Sequence, residues 1–233
     1  MNYASCLRAV VFAGAISTPM LTALPALSQE QVETYPETKA VLLEIHRNEV
    51  RALTSYRTFA ARAVAEGYPK IAALFNALSV SEAVHARNMK DVLAELGVAV
   101  FEKPPEMEAS STKENLKKAM EVELSEINES YPAYLERITP EGYQPAIDVI
   151  TYSWKAEMQH RDLIEKIHGA VGTFFGIVAR KIEEAPSSYY VCAVCGSTIR
   201  EAPEADCDIC GKEASHSHEV PAVSSTPGDT PEP

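Results

Sequence analysis

Two copies of the pattern Glu-x-x-His, Glu82 to His85 and Glu157 to His160, stand in this chain at an offset of 75 residues. Residues three apart on an α-helix project from one face, so each copy offers an oxygen and a nitrogen ligand to a single point. A further glutamate precedes each copy: Glu49 before the first, Glu123 and Glu126 before the second. Two such helices, with a carboxylate from each of two others, make the inward-facing ligand set of a di-iron or di-manganese four-helix bundle. Taken singly, Glu121, Glu123, Glu126 and Glu129 would be surface charge, and one Glu-x-x-His would say little. The joint pattern, in register with a repeat, selects the metal bundle.

The repeat extends beyond the ligands. Tyr56 recurs as Tyr131, and Glu66-Gly67-Tyr68 as Glu141-Gly142-Tyr143, all offset by 75. The upstream glutamates break step, because Glu49 would map onto Leu124 while the glutamates stand at 123 and 126. One residue inserted between ligand and tyrosine, as a π-bulge in the third helix, accounts for the slip. Tyr56 and Tyr131 recur with the ligands and are expected to hydrogen-bond ligand carboxylates.

Helix signals divide the chain accordingly. A first helix is expected from Pro36 to Glu66, stopped by Gly67. A second runs from Pro69 to near Leu96, stopped by Gly97. Residues 98–111 read as a linker long enough to cross the bundle. Thr112, with Asn115 at the boundary, opens a third helix to near Arg137. Pro140-Glu141-Gly142 breaks it, and the fourth helix runs from near Tyr143 to His168. The apolar, glycine-containing stretch 169–182 fits either a short fifth helix or a packed loop.

Composition changes beyond Ala185. Cys192-x-x-Cys195-Gly and Cys207-x-x-Cys210-Gly are paired knuckles whose four thiolates suit a tetrahedral iron or zinc site. Disulfides are the competing reading for a chain that meets an oxidising compartment. His216 and His218 follow the second knuckle and read as tail residues, since four cysteines complete the site. The module spans residues 186–219, and 220–233 is a Pro/Ser/Thr-rich disordered tail.

The N-terminus reads as an export signal of residues 1–28. Arg8 is followed by an apolar run from Ala9 to Ile16, with cleavage expected after Ser28 and Cys6 discarded with the signal. An uncleaved anchor is the alternative, disfavoured by a short run that prolines interrupt. The expected compartment is the periplasm. Acidic residues outnumber basic ones, 33 to 21, for a net charge of −12. That balance argues against nucleic acid as a partner.

With these residues assembled, the chain resembles the rubrerythrins. The likeness runs from about residue 37 to 219. It includes Tyr56 through Phe59-Ala60 to Glu66-Gly67-Tyr68, Thr112-x-Glu114-Asn115-Leu116-Lys117, Tyr131-Pro132, and Tyr190-x-Cys192 through Glu201-Ala202-Pro203 to Cys207. The resemblance implies a mainly α fold: a ferritin-like four-helix bundle over residues 29–185, followed by a small rubredoxin-like domain with a four-cysteine metal site. The family's bundle ligands fall on Glu49, Glu82, His85, Glu123, Glu126, Glu157 and His160. Its iron-binding cysteines fall on Cys192, Cys195, Cys207 and Cys210. The sequence departs from the family in its export signal, in a longer and more apolar connection over 169–189, and in lacking an aromatic after the last knuckle.

The activity implied is reduction of hydrogen peroxide to water at a di-iron centre, Fe–Fe or mixed, in oxidative-stress defence. Electrons would return through one iron, alternatively zinc, in the four-cysteine site. Glu126 is the carboxylate expected to move with oxidation state, Tyr56 and Tyr131 complete the expected catalytic group, and Glu82 and Glu157 are best placed to bridge. The expected partners are an unidentified electron donor and a second copy of the chain in a head-to-tail homodimer. The alternative is an iron-binding ferroxidase without peroxidase turnover.

Overall fold

A computed structural model describes residues 34–101, 103–168 and 188–221. The expected signal segment, the stretch 169–182 and all but the first two residues of the expected tail lie outside these described residues. Helix α1 spans Pro36–Ala65 and α2 spans Pro69–Glu95, each with proline in its first turn, where no intrahelical N–H is needed. Gly67 and Gly97 follow them with φ of 82° and 77°, backbone that a side chain resists. A crossing segment leads to α3 (Thr112–Ser125), a π-helical turn (Glu126–Ser130) and α4 (Tyr131–Ile138). A 3₁₀ turn (Thr139–Glu141) then precedes α5, Gln144–His168.

The third helix opens at Thr112 as expected, but the residue that caps it is Ser111. The Ser111 hydroxyl accepts from the Glu114 amide while Glu114 reaches back to the Ser111 amide. That reciprocal pair satisfies two amide donors left free at a helix start. Asn115 instead ties the preceding loop, bonding both the amide and the carbonyl of Ser110.

The repeat also explains how the two helical pairs hold each other. Glu141 accepts from the amides of Glu37 and Thr38 at the start of α1, at 3.0 and 2.8 Å. Its counterpart Glu66 accepts from the Thr112 amide at the start of α3, at 2.9 Å. Each carboxylate closing one pair therefore caps the first helix of the other, where amides and the helix dipole favour negative charge.

Two apolar clusters lie on either side of the ligand layer. One gathers Val41, Leu42, Ile45, Met89, Leu93, Ile138 and Ile150. The other gathers Phe59, Leu74, Phe75, Leu78, Leu116 and Ile164. On α1, α2 and α5 the candidate ligands fall between residues feeding one cluster and residues feeding the other, and Glu123 falls between the α3 residues of one and the α4 residues of the other. Apolar packing thus holds the four helices together above and below a polar layer that would not hold itself.

The cysteine module is a three-stranded antiparallel sheet in the order β2-β1-β3, from β1 (Tyr190–Cys192), β2 (Thr198–Ile199) and β3 (Ser217–Glu219). His216 and His218 are corrected from tail residues to parts of this module. His218 lies in β3 opposite Val191, and the His216 carbonyl accepts from the Ala193 amide. Strand pairing and Val220, packed on the bundle cluster with Tyr189 and Val191, close the module where the expected aromatic is absent. Among the described residues, no helix is long and apolar enough to cross a membrane.

Candidate metal centre

Four helices deliver the ligands: α1 and α2 from near their middles (Glu49; Glu82 and His85), α3 from its last turn (Glu123) and α5 from past its midpoint (Glu157 and His160). All six are at most 2 % exposed. They converge as two groups: Glu49, Glu82, His85 and Glu157, and Glu82, Glu123, Glu157 and His160, each with ligand atoms within 4.8 Å of one another. Glu82 and Glu157 belong to both, which is the geometry of bridging carboxylates. Both imidazoles turn Nδ1 inward. His85 Nδ1 lies 2.9 Å from Glu82 and 3.0 Å from Glu157, and His160 Nδ1 lies 2.8 Å from Glu157 and 3.3 Å from Glu82.

The electrostatics call for cations. Burial pushes the Glu123 carboxyl well above its usual range, with Glu157 and Glu82 adding to it. Glu49 is pushed up to about 7, first by burial and then by Glu82 and Glu157 against the pull of His85. Burial alone would push both imidazoles down. Glu157, with Glu49 and Glu82, outweighs it at His85 and holds that group well above its ordinary value, while Glu157 and Glu82 hold His160 at about 9. Burial would raise Glu157 too, but the two histidines hold it low. Glu123 Oε2 is buried without a hydrogen-bond partner, and Glu157 Oε1 has only the ion pair with His85 Nδ1 at 3.0 Å. Without metal, protons must do the work of cations here. Oxygen and imidazole donors suit iron or manganese, so the residues present fit a di-metal carboxylate site.

The tyrosines cross between halves. Tyr131 donates to Glu49 Oε1 and Tyr56 to Glu123 Oε1, both at 2.5 Å. Burial and the neighbouring carboxylates push both phenols well up, so they stay protonated donors.

The π turn begins at Glu126, between Glu123 and Tyr131, and supplies the extra residue that shifts the offset from 74 at Glu49–Glu123 to 75 at Tyr56–Tyr131. Glu126 is half-buried and outside both converging groups. Burial, then Glu157, Glu49 and Glu82, raise its carboxyl well above the usual range. Trp154 on α5 donates Nε1–H to the Ile127 carbonyl at 2.9 Å, anchoring the turn. Sequence reasoning missed Trp154, for which no spacing rule exists.

In the small module the four sulfurs also lie within 4.8 Å of one another. Cys192 and Cys210 are 3.8 Å apart and Cys195 and Cys207 are 3.5 Å apart, all four as free thiols. Metal–sulfur bonds of about 2.3 Å give a tetrahedral edge of about 3.8 Å, so the spacing fits a metal. Hydrogen bonding from Cys195 holds the Cys192 thiol down at about 4, which leaves a thiolate ready for a cation. Cys192 and Cys195 are buried against the bundle, while Cys207 and Cys210 are half-buried.

The first knuckle rests on the metal layer of the same chain. Arg87 Nη2 donates to the Ala193 carbonyl at 2.5 Å and Asn88 Nδ2 to the Val194 carbonyl at 2.8 Å. Gln159 Oε1 accepts from the Thr198 amide at 3.0 Å. Sequence patterns give no sign of these contacts either.

A family model described as Rubrerythrin matches residues 41–168. Rubrerythrin-2 of Clostridium acetobutylicum is 29% identical over 177 residues, covering 73% of this chain and 89% of the relative. Nigerythrin of Nitratidesulfovibrio vulgaris is 27% identical over 166 residues, covering 70% and 76%. A solved mixed-valence nigerythrin structure matches with a TM-score of 0.67 at 24% identity, covering 89% of this chain and all of that one, which supports the shared fold. With a carboxylate bundle and a four-cysteine site joined in this order, the chain belongs to the rubrerythrin family and is an oxidoreductase of that type.

Proposed function

We propose that this chain is a non-haem di-iron peroxidase that reduces hydrogen peroxide to water, with electrons returned through an iron held by four cysteines, as a defence against oxidative stress. One observation carries the reading. The two ligand groups share Glu82 and Glu157 in a fully buried layer, and the first cysteine knuckle of the chain is seated against that layer.

Two ferrous ions held by these residues would supply the two electrons that O–O cleavage needs, and an iron held by the four cysteines would resupply them. The protein's part is binding, positioning and proton supply. Glu49 and His85 would serve one metal, Glu123 and His160 the other, with Glu82 and Glu157 bridging. Tyr131 and Tyr56 fix the rotamers of Glu49 and Glu123 and leave each carboxylate one oxygen for a cation. Glu126, outside both groups at the π turn, is free to swing inward. Beside the layer, where burial and the neighbouring carboxylates favour its protonated form, it is placed to pass a proton to an oxygen leaving as water.

The half-buried Cys207 and Cys210 form the face open to an electron donor, whose identity the residues do not specify. A homodimer is part of the proposal. Two copies exchanging cysteine modules would make the same contacts that one copy makes with itself. Action in the periplasm is also proposed, supported by Arg8 and the apolar run after it, and N-terminal sequencing of the exported protein tests it.

The functional test supplies reductant and peroxide to protein with iron in the bundle and either iron or zinc in the cysteine site. Sustained peroxide loss with iron, and a single turnover with zinc, is the expected result. Equal turnover with zinc would contradict the relay, and rapid Fe(II) oxidation by O2 without peroxide loss would favour a ferroxidase.

A further inference from the structure

The outer nitrogens of the two inward-facing imidazoles meet the cysteine module. His85 Nε2 lies 3.5 Å from Ser81 Oγ, and His160 Nε2 lies 3.4 Å from Thr198 Oγ1. Both hydroxyls donate to one acceptor, the Gly196 carbonyl, Ser81 at 2.6 Å and Thr198 at 2.9 Å. Ser81 belongs to α2 and Thr198 to β2, so the two arms come from different domains and converge on the residue after Cys195. Ser81 is fully buried and Thr198 is 2 % exposed, so water is not the competing partner.

The donor and acceptor inventory has one consistent solution. Each hydroxyl has one proton and gives it to Gly196, so its oxygen is left to accept from the imidazole. Each imidazole then keeps a proton on Nε2, and when a cation replaces the proton on Nδ1 it is that nitrogen whose lone pair is left for the metal. We infer that Ser81 and Thr198 are positioning residues that set the tautomer of both candidate ligand histidines and tie them to the Gly196 carbonyl of the cysteine knuckle. Groups that orient a ligating histidine through its second nitrogen tune how well it binds metal. Here a single carbonyl serves both histidines, so seating the module and aligning the ligands are one event.

Gly196 is the residue that permits this approach. A Cβ there would lie 2.3 Å from His85 Nε2 and 2.7 Å from Ser81 Oγ. Gly211, at the matching place in the other knuckle, has a similar φ of +67° against +79° but nothing within 4 Å of its Cβ position. The two glycines separate the demand for a left-handed turn from the demand for close approach.

The inference rests on the bundle being a metal site, and its test does not need peroxide. Full-length protein labelled with ¹⁵N-histidine is loaded with zinc, and the ring proton of each histidine is read by NMR. The expected wild-type spectrum shows His85 and His160 as Nε2–H tautomers in slow exchange with water. Ser81→Ala should speed exchange at His85 by roughly tenfold or more, and Thr198→Val should do the same at His160. Ser81→Thr and Thr198→Ser, which keep the hydroxyl, should restore protection.

Gly196→Ala should expose both ring protons and the amides of residues 193–198. Gly211→Ala, strained alike, should leave them protected. Ring protons that are unchanged in Ser81→Ala and Thr198→Val, with zinc bound, overturn the inference while leaving the peroxidase reading intact. A bundle that takes up no zinc overturns both.

Discussion

The Tyr131 hydroxyl donates to Glu49 Oε1 across 82 residues of chain, and Tyr56, its partner in the repeat, donates to Glu123. Each half of the repeat thus holds the carboxylate of the other half. Removing either phenol leaves a buried carboxylate short of a donor. Tyr131→Phe and Tyr56→Phe should each cost the metal-free protein about 1–3 kcal/mol. Thermal melts check this, and unchanged melts would mean that the tyrosines only fill space.

Protons and metals compete for the same layer, so stability should respond to pH in opposite senses with and without metal. In the metal-free protein His160 sits at about 9 rather than 6.5. Its contribution is fully present below 6.5 and lost as the pH rises through about 9. Glu49, at about 7 rather than 4.5, also folds protonated and loses stability as the pH rises through about 7. The metal-free melting temperature should therefore fall between pH 6.5 and 9. Metal binding displaces those protons, so the gap between loaded and metal-free protein should widen over the same window. A metal-free protein that gains stability with rising pH would contradict the assigned protonation.

Glu126 owes its place to the π turn. Because it lies outside both converging groups, Glu126→Ala should leave two metals in the bundle yet slow peroxide turnover, on the order of 10- to 100-fold. Metal analysis beside turnover separates the two effects. Loss of a metal would make Glu126 an ordinary ligand. Trp154→Phe should loosen the same turn, with faster amide exchange over 126–130.

The cysteine site should separate first turnover from later ones. Cys207→Ser removes a ligand on the face away from the bundle, so the red iron–thiolate colour should be lost while the bundle keeps its metals. The pre-reduced variant should still consume about one equivalent of peroxide and then stop. Continued cycling would show that electrons reach the bundle by another route.

Much of this architecture is written locally. Glu-x-x-His places two ligands on one face because of helix geometry alone, and the slip from Glu49–Glu123 to Tyr56–Tyr131 reveals the π turn because the repeat acts as a ruler. The Ser111–Glu114 capping box is equally local, directly ahead of the helix that opens at Thr112. Glu66 and Glu141 are visible as a repeated pair, but their capping role depends on where the two pairs meet. Ser81, Thr198, Arg87, Asn88 and Gln159 carry no signal. Apart from the Gly196 carbonyl that Thr198 meets two residues away, their partners are backbone groups of another element, 39 to 115 residues distant, and recognition of backbone leaves no mark on the partner's sequence.

In the proposed cycle the bundle reacts with peroxide and is resupplied by the cysteine site. The most direct measurement mixes fully reduced, iron-loaded protein with one equivalent of H2O2 or of O2 and follows both iron centres by stopped-flow absorbance. A peroxidase with this relay should show fast oxidation by H2O2, slow oxidation by O2, and red colour growing at the cysteine site as its electron passes to the bundle. Equal or faster reaction with O2, or a cysteine site whose spectrum never changes, would contradict it.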